Sequence, residues 1–430
     1  MIDVNIARIE GVIETNILRK VLDFLQNRHP MLRVRIIELA DGTYFSSQNI
    51  KKIPLETISK TDENQWLEIA EKQLHEKFSD EFAPLCRITL LQSSLAHPIS
   101  EIIATFHHAI TDGLSCMNFI DELLFYYQKI EQGEQTFEQM TPRVSTKNIA
   151  LPLLPPVEQI LDSSFVELNE VKKPETENIK EQKVPILIIE NEAPLNQRRT
   201  HLLTRIINPE ILSKLIEQCK QQKTTVHGAL CAAMLLGATK ISGCKESINF
   251  SCSSNINLRK YSKTEVKKNY IGCFVSSVES IHNLTGNTNF WNLARACKNQ
   301  VDNSINGKIN DLIKEQSLSD ITQQTIQNVL ERNSTGRIKT INLSNRGKFD
   351  LAENYGKLKI KEIYFTVGQH ILGPCLWLGA LTFHKQLFCS FAHVTPLISS
   401  ETMNSFADGV VDILEETSLM TRESDRKRDI

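Results

Sequence analysis

The chain holds ten cysteines but no C-x-x-C pair, which removes zinc ribbons and thioredoxin-like redox sites from consideration. Its thiols are scattered, and several, among them Cys116, Cys231, Cys273 and Cys389, sit inside apolar segments. Free thiols buried in a reducing compartment are the reading this favours. No G-x-S-x-G elbow occurs, so the serine-hydrolase arrangement is excluded. Neither G-x-x-x-x-G-K-[ST] nor G-x-G-x-x-G occurs, which leaves nucleotide binding without support, and H-E-x-x-H is missing as well. An excess of one charge is also lacking. With 49 basic and 51 acidic residues the net charge is −2, too little to draw nucleic acid or an anionic membrane surface. The opening Met1-Ile2-Asp3-Val4-Asn5 has neither the basic nor the apolar region of a signal peptide. The longest apolar stretch, Val226 to Ala238, is broken by His227 and is too short to cross a bilayer. A cytoplasmic location, no transmembrane segment and no nucleic-acid partner are therefore expected.

What the chain does have is size and a mixed pattern. Its 430 residues exceed the length at which one core keeps growing, so two domains are expected. Ile17 to Gln26 carries Val21, Leu22 and Leu25 at helical spacing, and Leu32 to Ile36 alternates as a half-buried strand would. Trp66 to Phe78 reads as a helix and Cys86 to Leu91 as a strand. Glu101 to Phe106 is a buried strand, and Leu114, Met117, Ile120, Leu124 and Tyr127 then recur at helical spacing. Seven of the 14 prolines fall between Pro142 and Pro194, with a polar stretch from Glu167 to Lys183, and this region reads as a long crossover. Beyond it come a strand (Thr200 to Ile207), a helix (Pro209 to Gln221), a buried alanine-rich helix (Thr225 to Ala238), and strands at Ser247 to Ser253. The segment Ile360 to Val394 reads as strands, with a hairpin about His384-Lys385. The expected division is 1–165, a linker 166–198, 199–420, and a charged, disordered tail 421–430.

The strand-to-helix turn carries the chemistry: His107-His108-Ala109-Ile110-Thr111-Asp112-Gly113. Successive strand side chains point to opposite faces, so one imidazole supports the loop and the other faces a substrate. A histidine at a strand end can act as general base, and a glycine lets substrate approach the backbone. Thr111 or Asp112 also suits the cap of the following helix, and His107 suits a core position. A metal site is the rival chemistry, but neighbouring strand histidines diverge, so no metal is expected.

These seven residues resemble the HHxxxDG signature of the condensation-domain and coenzyme A-dependent acyltransferase superfamily. Within it the chain is most similar to stand-alone acyltransferases of the mycobacterial polyketide-associated and alcohol-acetyltransferase kinds. Arg28-His29-Pro30-Met31-Leu32-Arg33-Val34, Phe82-Ala83-Pro84-Leu85-Cys86-Arg87 and Thr225-Val226-His227-Gly228-Ala229-Leu230 resemble further family segments. So do Asn257-Leu258-Arg259, Ile271-Gly272 and Ser344-Asn345-Arg346-Gly347, in the family's order along the chain. The D-F-G-W-G motif of the plant-type branch is absent.

The resemblance implies an α/β fold with mixed sheets, built of two chloramphenicol-acetyltransferase-like subdomains in a V-shaped pseudodimer with a tunnel at their interface. It implies His108 as general base, His107 as motif support, Asp112 as a structural, loop-holding residue and Gly113 as the place where the donor approaches the backbone. Arg33 is the preferred partner of Asp112, with Arg28 and Arg35 as alternatives, while Ser344 and Asn345 are candidates for oxyanion or substrate contacts. The reaction implied moves an acyl group from acyl-CoA, or from the phosphopantetheinyl thioester of an acyl carrier protein, to a small-molecule alcohol or amine. No bound cofactor, no covalent intermediate and a monomer are implied with it. Two other readings stand beside this one: condensation of two carrier-bound substrates in natural-product assembly, and a non-catalytic homologue that binds acyl chains.

Overall fold

The computed structural model describes residues 1–39, 42–78, 81–93, 98–134, 188–243, 246–261, 266–267, 269–317 and 323–419. Most of the expected crossover, and the tail from 421, lie outside the described residues. The fold is mixed α/β and divides into two compact units. The first draws on Met1–Ser164, Ser262–Phe274 and Phe349–Gly368, and the second on Phe165–Tyr261, Val275–Lys348 and Gln369–Ile430.

This division differs from the contiguous halves expected, because two stretches of the later chain join the first unit. Hydrogen bonding explains one of them. Leu358–Val367 pairs antiparallel with Ile2–Glu10, setting Asp3 opposite Val367 and Ile6 opposite Tyr364. A strand buried on both faces must satisfy its amides on both edges, and Ile2–Glu10 has Ile99–His107 on its other side. The first unit's six-stranded sheet runs Asn354–Tyr355, Leu358–Val367, Ile2–Glu10, Ile99–His107, Cys86–Gln92, Leu55–Ser59.

The central strands bury Val4, Ile6, Ala7, Ile9, Ile102, Ile103, Ala104 and Phe106. Helix Thr15–Arg28 presents Leu18, Val21, Leu22 and Leu25, spaced as one stripe of an amphipathic helix. Helix Gly113–Glu131 buries a broader face, including Met117, Phe119, Ile120, Leu123 and Leu124. Phe106 and Phe119 meet edge to face with ring centroids 5.2 Å apart. A charged rung ties three strands together: Arg8 bonds Glu101 at 3.3 Å and Glu362 at 2.7 Å, and buried Lys60 reaches Glu101 at 2.8 Å. The strand expected from Leu32 instead starts at Arg35, since Pro30–Arg33 forms a 3-10 turn; proline favours such a first turn.

The second unit's sheet runs Arg199–Ile207, Gln386–Thr395, Gly373–Phe383, Arg337–Lys348, Ile248–Asn257, Val275–Leu284. Helix Val226–Ser242 is capped by the Thr225 hydroxyl and buried nearly all round. A side chain added at Gly228 would meet the Ala294 carbonyl at 2.6 Å, so only glycine lets helix Phe290–Ser317 approach there. No single described helix is long and apolar enough to cross a membrane. The expected hairpin is present, and its turn holds His384 at φ 46° and Lys385 at φ 61°. Such left-handed pairs match the twist of antiparallel strands but strain side-chain-bearing residues. Lys385→Gly is expected to raise stability by about 0.5–1 kcal/mol, read as a higher melting temperature; a lower one would count against strain at this turn.

Candidate active site

Strand Ile99–His107 runs through the core and ends at the motif. His107 sits opposite Ile2, and its amide donates to the Leu85 carbonyl at 2.8 Å. The chain then leaves the sheet. The His108 amide donates to the Met1 carbonyl at 2.9 Å, and the Ile110 amide turns back onto the His107 carbonyl at 3.0 Å. Asp112, extended at φ −131° and ψ −177°, ends the turn and caps the helix that Gly113 opens. Its Oδ1 accepts the Ser115 amide at 2.9 Å. The reading of Asp112 as a helix cap is therefore correct, and it is half of what this carboxylate does.

The other half lies far along the chain. Asp112 Oδ2 accepts the amide of Phe274 at 2.8 Å, across 162 residues. The hydroxyl of buried Ser115 donates to the Gly272 carbonyl at 2.8 Å and accepts the Gly272 amide at 3.0 Å. Residues 272 and 274 are thus both fixed to the start of the motif helix. A Cβ at Gly272 would stand 2.6 Å from the Phe274 ring, so glycine is needed for the segment to fold this tightly.

Between them, the Cys273 sulfur lies 3.7 Å from Nδ1 of His108. Of the nine described cysteines, all free, Cys273 is half-buried and the other eight are buried. The expectation of a buried structural thiol is corrected at this position. The reason is placement: Cys273 belongs to a docked loop at the end of the motif strand rather than to an apolar element.

The two imidazoles differ in environment. His107 Nδ1 accepts the Ala109 amide at 3.2 Å, and a ring nitrogen that accepts carries no proton. Burial first, then the positive charges of the chain's amino terminus and His108, hold the His107 pKa down to about 4. This ring is neutral and props the turn. His108 is half-buried. Burial works against its charged form, but the hydrogen bond and charge of Cys273, the charge of Asp3 and the ring's own backbone carbonyl outweigh it. Its pKa is pushed up to about 9.

Asp3 is fully buried on strand Ile2–Glu10, held by the Asn5 amide group at 3.0 Å and the Cys116 thiol at 3.3 Å. Asp3, Ser115 and Cys273 belong to this site, and sequence reasoning missed all three. The available signal for Asp3 was an acidic residue between Ile2 and Val4 in a stretch that alternates apolar and polar residues as far as Ile6.

The arginines expected beside Asp112 are elsewhere. Arg33 ends the 3-10 turn, its Nε buried without a hydrogen-bond partner, and the structure does not bring it to Asp112. Arg28 is bound by Glu122 at 3.0 Å, a carboxylate it shares with His29. Arg35 bonds Glu81 at 3.1 Å and lies over the Phe82 ring. Backbone amides take the place assigned to Arg33, because the loop Asp112 secures presents its N–H groups to it. Ser344 and Asn345 stand half-buried on strand Arg337–Lys348 of the second unit. There the Asn345 side-chain oxygen accepts the Gly347 amide at 2.9 Å. Among the described residues, no group of three or more His, Cys, Asp or Glu side chains is placed to hold a metal ion.

The double role of Asp112 has a measurable consequence. Asp112→Ala should destabilise the chain by about 2–4 kcal/mol, combining a lost cap with a lost bond to a charged acceptor. Denaturant unfolding measures it. A loss no greater than the roughly 1 kcal/mol of an ordinary cap would mean that the Phe274 contact adds nothing.

Residues 5–146 match the model of the Condensation domain family. Among curated proteins, the chain is 30% identical over 122 residues to nonribosomal peptide synthase roqA of Penicillium rubens, covering 28% of this chain and 4% of that protein. It is 28% identical over 137 residues to polyketide synthase PksN of Bacillus subtilis, covering 31% of this chain and 2% of that protein. The chain therefore spans a small fraction of the length of these relatives. Similar solved structures include polyketide synthase associated protein 5 from Mycobacterium tuberculosis, with a TM-score of 0.66, 14% identity, and coverage of 97% of this chain and 92% of the other. The trichothecene 15-O-acetyltransferase TRI3 from Fusarium sporotrichioides gives 0.70 at 11% identity, covering 97% and 91%. The epimerization domain of the third module of tyrocidine synthetase B gives 0.69 at 14% identity, covering 100% and 92%.

Proposed function

On the premise that the chain belongs to the condensation-domain and acyltransferase superfamily, whose family model it matches over residues 5–146 and whose fold it has, we propose that it is an acyltransferase. It moves an acyl group from a CoA or carrier-protein thioester to a hydroxyl or amine. His108 is its general base. The observation that carries this reading is the contrast between adjacent imidazoles, one neutral and used up by the turn, the other half-buried and made more basic than usual.

In the proposed step, Nε2 of His108 takes the proton of the acceptor as its oxygen or nitrogen attacks the thioester carbonyl. The tetrahedral adduct then collapses, the C–S bond breaks, and the imidazolium returns the proton to the departing thiolate. Enzyme and base end as they began, and no acyl-enzyme forms. Base catalysis supplies roughly 100- to 10,000-fold, and holding both reactants together supplies much of the rest. Gly113, at the first position of the motif helix, has no side chain to obstruct the donor's pantetheine arm.

A second reading has its own support. The two curated relatives named above are synthases by name, which favours a carrier-bound donor, and with it condensation between two carriers. Assay of the purified chain with acyl-CoA against acyl-loaded carrier, over a panel of alcohols and amines with products read by mass spectrometry, separates the two. The acyltransferase reading expects ester or amide product, and His108→Ala is expected to lower its formation about 100- to 10,000-fold with unchanged circular dichroism. Full activity in that variant would refute the assignment.

The pH dependence has a definite sign. A base must be neutral to accept a proton, and a raised pKa keeps the ring charged to higher pH. The rate is therefore expected to climb through the neutral range and level off only near the His108 value of about 9. A profile already flat by pH 7 would mean that the ring titrates near the ordinary histidine value and that its negative neighbours do not raise it.

A further inference from the structure

Segment 272–274 is held from both ends. The Gly272 amide and carbonyl meet the Ser115 hydroxyl, and the Phe274 amide meets the Asp112 carboxylate. The residue between them is thereby presented to the motif strand, with its sulfur 3.7 Å from His108 Nδ1. That distance is within hydrogen-bonding reach of a sulfur atom.

A neutral imidazole carries one N–H, and its position is set by what the other nitrogen meets. We propose that Cys273 is a positioning residue: its sulfur accepts the Nδ1–H of His108 and so fixes the tautomer whose Nε2 holds the lone pair. The arrangement parallels a catalytic triad, in which a third group on Nδ1 orients the base, with sulfur in place of a carboxylate. Asp112 and Ser115 act on the reaction through it, by clamping the loop that carries the sulfur. The inference rests on His108 being the base, but its test does not need turnover.

The groups facing the ring come from several elements. Cys273 belongs to the clamped loop, Asp3 to the central strand, His107 to the strand before it, the chain's amino terminus lies beside them, and His108's own backbone carbonyl meets the ring as well. Asp3 raises the His108 pKa from a distance, whereas Cys273 does so both by charge and through the hydrogen bond at Nδ1. Removing the sulfur should therefore do two things at once: lower the titration midpoint of the ring and loosen its tautomer, leaving the ring's own backbone carbonyl as a weaker constraint.

Nitrogen-15 NMR of histidine-labelled full-length chain reads both. The His108 signals are assigned by their loss in His108→Ala. The wild-type ring above its midpoint should show a protonated Nδ1. In Cys273→Ala the midpoint should fall towards the ordinary histidine value, with a rise of roughly ten- to a hundredfold in neutral ring at pH 7, and the Nδ1–H preference should weaken to what the ring's own backbone carbonyl sustains. Cys273→Ser, which keeps an acceptor, should retain the Nδ1–H tautomer. A wild-type ring protonated on Nε2 instead, or a midpoint and tautomer unmoved in Cys273→Ala, would overturn the proposal. Because neither reading needs substrate, a chain that transfers no acyl group would sink the proposed function and leave this test standing.

Discussion

The carboxylate of Asp112 is the constraint from which the geometry of the site follows. A buried carboxylate that lacks hydrogen bonds is expensive, and one that accepts backbone amides is secure. Asp112 accepts two, from residues far apart in the chain. Ser115 lies one turn into the helix that begins here, and Phe274 belongs to a loop that arrives after the second unit has begun. One side chain thus settles where the helix starts and where the loop docks. Without the first bond the helix loses its cap. Without the second, the loop loses its anchor at Phe274 and keeps the one that the Ser115 hydroxyl makes to Gly272, so the thiol beside His108 is held from one end.

That placement explains how two neighbouring histidines come to have opposite properties. Both sit at the end of one strand, and both pay for burial in the same direction. What separates them is the partner each meets. His107 receives an amide proton from Ala109, a contact that only an unprotonated nitrogen can make, and positive charge lies beside it. His108 faces sulfur and, further off, the Asp3 carboxylate, and both favour the charged ring. Asp3 is anchored in its turn by Asn5 and Cys116, which belong to the central strand and the motif helix. The polarity of the site is therefore built into the core elements and does not depend on surface groups, whose fields water screens.

Much of this was legible in the sequence, and what was not has physical causes. Helices with a single buried stripe, such as Thr15–Arg28 and Pro209–Gln221, declare themselves by spacing, and the His384-Lys385 hairpin by the alternation on either side. That two adjacent imidazoles should differ in placement followed from strand geometry, while the role of each was implied only by the resemblance. The central strand Ile2–Glu10 did not stand out as one. Its alternation of Ile, Asp, Val, Asn and Ile suits a half-exposed edge, yet Asp3 and Asn5 are as buried as Val4, because each satisfies the other. The Asp112 partner was misjudged for a related reason. Sequence shows side chains, so an arginine was sought, while the groups that bind this carboxylate are main-chain amides common to every residue except proline.

Cys273 was hidden by the same limit carried one step further. Its importance depends on neither its own type nor its local pattern, but on two anchors that straddle it and on a helix more than a hundred residues earlier. The heptapeptide is consequently incomplete as a description of the site. It supplies the two rings and the anchoring carboxylate, while the group that meets His108 at Nδ1 comes from a distant chain segment of the same unit, to which Asp112 and Ser115 bond. A chain that kept the seven residues but changed Gly272 would place a side chain 2.6 Å from the Phe274 ring and push the loop off its anchors. The motif would be intact in sequence and its second histidine left without the sulfur that orients it.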